Sequence, residues 1–415
     1  MTEKQKGKRP SLGIDWFPQA LPNDTRTEVF TLRTPDGASV LGTLYTRGHP
    51  RNVACLMHPR EYFGAHYLVP ALLESGMAVW TQGARSIGND LRLEHEQAVI
   101  DAATGIQFLR ERDFEKIVLI GNSGGSGVYS YYIQQSTLVP EQRLAKSPVG
   151  KPTRFDTLDM PAVDGMVYLA PHPGQGRLLM GCIDPSVADE SDALSVDPDL
   201  DPFNPENGYA PEPGKSRYSP DFVERYRAAQ RSRVERIDAI ARQLIERRQS
   251  ARRQVKEGNS DRATRLQAAH TPIITVWRTD ADLRNIDLTL DPSDRAPGSI
   301  WGNDPLVSNY GAVGFGRLCS PESWLSTWSG VSSQAALEKT APFVRVPTLL
   351  VEYTGDQTTF PLQIKEIFSW IGARDKQHVR VRGDHHGRPI EGEPQSGRSA
   401  AAKHITNWLA DHGFV

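Results

Sequence analysis

Short apolar runs alternate with segments of helical periodicity at both ends of this chain. That alternation restricts it to a mostly parallel sheet with helices on both faces. The runs "NVACLMHP", "MAVWTQGA", "KIVLIG" and "DGMVYLAPHPG" read as strands short and apolar enough to be buried. Between them a helix is expected near His66–Ser75. A second falls within Glu94–Arg112, where Val99, Ala102, Ala103, Ile106 and Leu109 recur at helical spacing. The rhythm returns near the C-terminus as "VPTLLVEYTGD", a helix around Leu362–Ile371, "QHVRVRGDHHG" and a closing helix near Ser399–His412. Ahead of all of these, "TEVFTLRT" and "ASVLGTLYT" flank the turn signal Pro35-Asp36-Gly37 and predict an antiparallel hairpin.

Between Pro173 and Thr340 the alternation breaks down. The stretch "DPDLDPFNPENGYAPEPGKSRYSP" is loop by composition. Ser219-Pro220-Asp221 then opens a long helix with a capping hydroxyl, a proline at the first helical position and an acid in the first turn. Val234, Ile237, Ala241, Leu244 and Ile245 form its apolar stripe, and Gly258 is its stop. Its arginines are interspersed with Glu224, Glu235, Asp238 and Glu246, which reads as a solvated, salt-bridged face rather than a binding surface. The expected organisation is a core from residues 1–172 and 341–415, with 173–340 as an inserted, mainly helical cap.

Bulk properties exclude several function classes. A formal charge of −2 over 415 residues argues against a nucleic-acid partner, which needs clustered, uncompensated cations. The start "MTEKQKGKRP" has no apolar stretch after it, so no secretory leader is expected, and no apolar run is long enough to cross a membrane. Cys55, Cys182 and Cys319 are widely spaced, giving neither a disulfide framework nor metal-ligand spacing. They read as reduced thiols of a cytoplasmic protein. The expected partner is a small-molecule substrate, with no metal or organic cofactor and no membrane; association of like copies stays open.

Chemistry concentrates in "KIVLIGNSGGSG", Lys116–Gly127. The apolar run ends in Gly121, Ser123 follows, and Gly124, Gly125 and Gly127 open a helix. This matches the G-x-S-x-G elbow, in which small neighbours let strand, turn and helix approach closely while the serine hydroxyl stays exposed. The alternative, a phosphate-binding turn, lacks the lysine of a P-loop and the spacing of a dinucleotide fingerprint.

With that motif in that place, the chain resembles the α/β-hydrolase family over Thr27–His172 and Arg345–Val415. The resemblance implies the chain order nucleophile, acid, histidine. Ser123 would be the nucleophile. Asp356 in "TLLVEYTGD" would be the acid, with Glu352 as the fallback. "VRVRGDHHG" offers His385, favoured by the aspartate before it, and His386 as the alternative. The imidazole would take the serine proton and the carboxylate would hold its tautomer.

The same resemblance implies an oxyanion hole built from the Gly124 N–H and a donor after the first central strand. There "MHPREYFG" departs from the family's His-Gly: Pro59 has no N–H, so the expected donor is Arg60. The Arg60 side chain reads either as an anchor for a substrate carboxylate or as a solvated loop residue. His58, His172, Trp301 and Trp328 are the candidate substrate-facing residues. Each tryptophan of the insertion, Trp277 and Trp324 included, reads equally as part of that segment's own core. Asn89 and Asp90 are expected to cap the helix after them.

The implied activity is a serine hydrolase cleaving a carboxylic ester or lactone, hydrophobic or aromatic in character, through an acyl-serine. Amidase, thioesterase or acyltransferase chemistry on the same triad stays open. So does a non-catalytic binding protein of this fold.

Overall fold

The computed structural model describes residues 20–258 and 261–415. The N-terminal stretch read above for a leader lies outside the described residues. An eight-stranded sheet carries the chain in the order β1-β2-β4-β3-β5-β6-β9-β10. Its first strands are β1 (Arg26–Arg33), β2 (Ser39–Thr46), β3 (Asn52–His58), β4 (Ala78–Gly83), β5 (Lys116–Asn122) and β6 (Gly165–Leu169). A two-stranded pair, β7 (Ile274–Thr275) with β8 (Leu318–Cys319), stands apart from it, and β9 (Thr348–Tyr353) and β10 (Lys376–Val381) complete the sheet. β1 pairs antiparallel with β2, and β2 with β4; every pairing from β4 to β10 is parallel.

The continuous apolar runs follow from burial on both faces. Along β3, Val53, Cys55 and Met57 enter one core while Ala54 and Leu56 enter the other, and β5 divides Ile117 and Leu119 from Val118 and Ile120 in the same way. Helices α2 (His95–Arg110) and α3 (Gly124–Thr137) cover the first face, joined by Ile364 and Ile367 of the helix Pro361–Trp370. α1 (Val69–Glu74) covers the second with the closing helix Gly397–Asp411, through Leu72, Leu73, Ile405 and Trp408. The edges are blunted, since β1 alternates exposed with half-buried positions and β10 carries Lys376, His378 and Arg380.

The chain between β6 and β9 holds α4 (Gln175–Cys182), α5 (Pro220–Lys256) and shorter helices. Ser219 caps α5 by accepting the Phe222 N–H at 3.2 Å, and Gly258 past its end sits at φ 101°. Not all of its arginines are solvated. Arg231 pairs with Glu235 and Arg253 with Glu246 at the surface, as expected. Arg233, however, is fully buried, gripping Glu190 at 2.9 Å and the Asp184 carbonyl at 2.6 Å, and Arg227 pairs with the buried Asp282 at 2.8 Å. These are internal fastenings of long loops.

Trp324 and Trp328 are fully buried in the core of this segment, with Trp301 packed against it. The Trp324 indole N–H donates to Asp238 at 2.7 Å. Two loops at the carboxyl rim of the sheet fasten the segment down. Ser323 and Thr327 donate to the carbonyls of Asp90 and Leu93 at 2.7 and 2.8 Å, beyond β4. Beyond β9, Asn285 donates to the Gln357 carbonyl at 3.0 Å, and the Gln357 side chain donates back to Gly298 at 2.7 Å. Among the described residues no helix is long and apolar enough to cross a membrane, and the three cysteines are free and buried.

Candidate active site

β5 delivers Ser123 into a turn that only close packing can hold. Its backbone lies at φ 52° and ψ −121°, a conformation that costs a non-glycine residue about 1–3 kcal/mol. Its N–H donates to the Leu169 carbonyl at 2.9 Å, tying the turn to the end of β6. The flanking glycines are required by space. A Cβ at Gly125 would stand 2.1 Å from the Met57 carbonyl oxygen, and one at Gly121 would stand 2.6 Å from the Ser126 Cα. The hydroxyl is thus carried to the carboxyl rim of the sheet, half-buried and reachable.

The loop after β10 brings His385 to it. His385 Nε2 lies 3.0 Å from Ser123 Oγ, and Nδ1 lies 2.7 Å from Asp356 Oδ2. A carboxylate at Nδ1 requires the proton there, which leaves Nε2 to accept from the serine hydroxyl. Burial lowers the His385 pKa, but the Asp356 charge and hydrogen bond outweigh it, and the net shift is upward from 6.5. Asp356 is held in turn: its Oδ1 accepts the Thr358 N–H at 2.6 Å and the Thr358 hydroxyl at 2.8 Å. The acid and histidine loops are joined where Gly355 N–H donates to the Gly383 carbonyl at 2.8 Å.

His386 packs edge-on against the His385 ring, centroids 5.1 Å apart, and its Nδ1 accepts from Arg388 at 3.1 Å. Glu352 pairs with His378 at 2.8 Å and with Arg380 on the edge strand. Neither joins the serine.

The loop after β3 differs from expectation. The Arg60 N–H donates to His58 Nδ1 at 3.1 Å, as does the Glu61 N–H at 3.0 Å, so the backbone group expected to face the oxyanion is already engaged. The Arg60 guanidinium is neither solvated nor free for a carboxylate ligand. It forks onto Asp90 at 2.6 and 2.7 Å and lies 5.1 Å from the Trp328 ring and 5.8 Å from Phe315. Asp90 therefore serves Arg60 rather than capping α2, whose N-cap is Glu94 without a side-chain cap bond. Asn89 likewise makes no cap bond. Trp301 lines a cavity of about 440 Å³ beside Arg60 and Asp90; neither Ser123 nor the fully buried Trp328 lines it.

Buried histidines lie close enough to His385 for its charge to act on two of them, His58 and His172. His172 accepts the Gly174 N–H at Nδ1, 3.2 Å away, and burial followed by the charge of His385 pushes its pKa down to about 3. Burial and the Arg60 charge hold His58 well below 6.5. Sequence reasoning missed His95, which lies 2.6 Å from Gln175 Oε1 and whose pKa burial lowers to about 4. Gln175 was missed too, and its Cδ would lie 3.4 Å from a Cβ at Gly124. Proximity to "APHPG" was the only available signal for Gln175; for His95 there was none. Thr358 could have been found from the spacing Asp-x-Thr, which favours an Asx turn. Among the described residues no cluster of histidine, cysteine and carboxylate side chains could hold a metal ion.

No family model and no curated protein matches the sequence. Solved structures do match. DcsB in complex with its substrate analogue is 13% identical, with 93% of this chain and 99% of that chain covered and a TM-score of 0.50. A thermostable carboxyl esterase from Bacillus coagulans is 10% identical, covering 94% and 99% of the two chains, with a TM-score of 0.47. The esterase domain of a Rhodothermus marinus protein is 11% identical over 93% and 98%, with a TM-score of 0.43. At 13% identity the likeness to DcsB is one of chain path, and the path, a mostly parallel sheet entered through an antiparallel hairpin, is the α/β-hydrolase fold, which this chain adopts.

Proposed function

We propose that the protein is a serine hydrolase that cleaves a carboxylic ester or lactone through an acyl-serine. One observation carries this reading: Ser123 Oγ, His385 Nε2, His385 Nδ1 and Asp356 Oδ2 form a continuous chain of contacts of 3.0 and 2.7 Å. The Ser123 proton passes to His385 Nε2 as Oγ bonds to the substrate carbonyl carbon, and the carbonyl electron pair moves onto oxygen. The tetrahedral adduct collapses by expelling the alkoxide, which takes the proton back from Nε2. Water, deprotonated by the same nitrogen, then attacks the acyl-serine; this second adduct breaks its bond to Ser123 Oγ, which takes the proton back from Nε2, and the acid is released.

Gly124 opens α3, so its N–H has no carbonyl one turn behind it and is the first donor to the developing oxyanion. The inserted segment would act as a cap held over the site by two loops at the carboxyl rim.

The test is hydrolysis of p-nitrophenyl butyrate by wild type and Ser123→Ala. Turnover by wild type and its loss in the variant support the reading; equal rates end it.

A further inference from the structure

We propose that the His58 side chain, through its Nε2–H, is the second oxyanion donor, in place of the backbone amide that Pro59 and Arg60 fail to present. This rests on the acyl-serine reading above. Three observations converge on it. First, His58 Nδ1 accepts two backbone N–H groups, from Arg60 at 3.1 Å and Glu61 at 3.0 Å. A nitrogen accepting twice carries no proton, so the proton of the neutral ring is on Nε2. Second, Nε2 lies over the first oxyanion donor's residue, since a Cβ at Gly124 would stand 2.8 Å from it. Third, among the described residues Nε2 makes no hydrogen bond, and it is absent from the fully buried side-chain atoms that lack a partner. A fixed donor without a partner, beside the Gly124 amide and reachable from the site, is what a developing oxyanion requires.

The surroundings keep the ring in this form. His58 ends β3, is buried, and packs 5.4 Å from the Phe63 ring. The groups that face it electrostatically are Arg60, His172, His385 and His95, all of which oppose a second proton. No proton moves on His58 during turnover. Its Nε2–H shortens onto the oxygen as charge builds and relaxes when the adduct collapses.

Two variants separate this role from loop anchoring. His58→Asn retains an oxygen near the Nδ1 position to accept the two amides but removes the distal donor. His58→Gln retains a distal N–H. With p-nitrophenyl butyrate, His58→Asn should lower kcat about 10²–10³-fold with KM little changed, and His58→Gln should recover at least tenfold of that loss. Affinity for an aryl trifluoromethyl ketone, which forms a tetrahedral oxyanion adduct on the serine, should fall about 10²-fold in His58→Asn.

In wild-type protein the ketone should also shift a second histidine Nε2 proton downfield besides that of His385, a resonance absent from His58→Gln; this reads the donor even where His58→Asn does not fold. A kcat within threefold of wild type in His58→Asn, no second shifted proton, or loss in Gln175→Met instead, overturns the proposal while Ser123→Ala remains inactive. Activity persisting in Ser123→Ala marks failure of the underlying reading instead.

Discussion

His385 Nε2 stands 3.0 Å from the Ser123 hydroxyl, although 262 positions separate the two residues in sequence. The Asp356 carboxylate behind the ring raises the His385 pKa above 6.5 against the opposing effect of burial. As a general base the ring must be unprotonated, so kcat/KM for an aryl ester should rise with pH to a plateau, with its midpoint above 6.5. A midpoint below 6 would contradict this. The stabilising His385–Asp356 pair runs the other way, present in full below the unfolded value and lost as pH rises through the folded one.

Asp356→Asn should lower kcat by about 10⁴-fold, because an amide at Oδ2 no longer dictates the proton at Nδ1. His386→Ala should stay near wild type, since that ring faces Arg388. Steady-state kinetics on both variants decide between the neighbouring histidines.

The strained elbow predicts that function is held at the expense of stability. Ser123→Gly should be inactive yet about 1 kcal/mol more stable, as glycine tolerates φ 52° freely. Gly125→Ala should destabilise by at least 1–3 kcal/mol, since its Cβ would meet the Met57 carbonyl oxygen at 2.1 Å. Denaturant unfolding measures both.

Arg60 and Asp90 join the loops after β3 and β4 with side chains only 15% and 22% exposed. Asp90→Asn removes the forked carboxylate from a guanidinium packed near Trp328, leaving only the neighbouring Glu61 charge, and should cost no more than about 3 kcal/mol. The double variant Arg60→Met/Asp90→Leu should recover most of that loss. A double-mutant cycle by thermal melts tests it.

The buried neutral histidines make the fold acid-sensitive. His58, His66, His95 and His172 all have folded pKa values below 6.5, lowered to about 3 for His66 and His172 and about 4 for His95, so their contribution is present above 6.5 and is lost as pH falls towards the folded values. His172→Asn should reduce the loss of stability between pH 7.5 and 5 by about 2 kcal/mol.

Much of this was legible in the sequence for physical reasons. Strands buried on both faces read as apolar runs, and the elbow's glycines are imposed by contacts with Met57 and Ser126. The resemblance to the α/β-hydrolase family pointed to Asp356 and His385 just past strand ends, and the structure brings both into line with Ser123. What stayed hidden depends on side chains meeting across loops distant in sequence. Arg60 finds Asp90 only because β3 and β4 are neighbours, and the tautomer of His58 is set by two amides whose direction no spacing rule gives. The burial of Arg233 was obscured by the acids interleaved on its own helix, because its partner Glu190 lies on another loop.

The most direct measurement is the intact mass of the protein after treatment with a fluorophosphonate, followed by peptide mapping. The account predicts a single covalent adduct on Ser123, absent from Ser123→Ala and formed slowly in His385→Ala. No adduct, or an adduct on another residue with ester hydrolysis intact in Ser123→Ala, would contradict it.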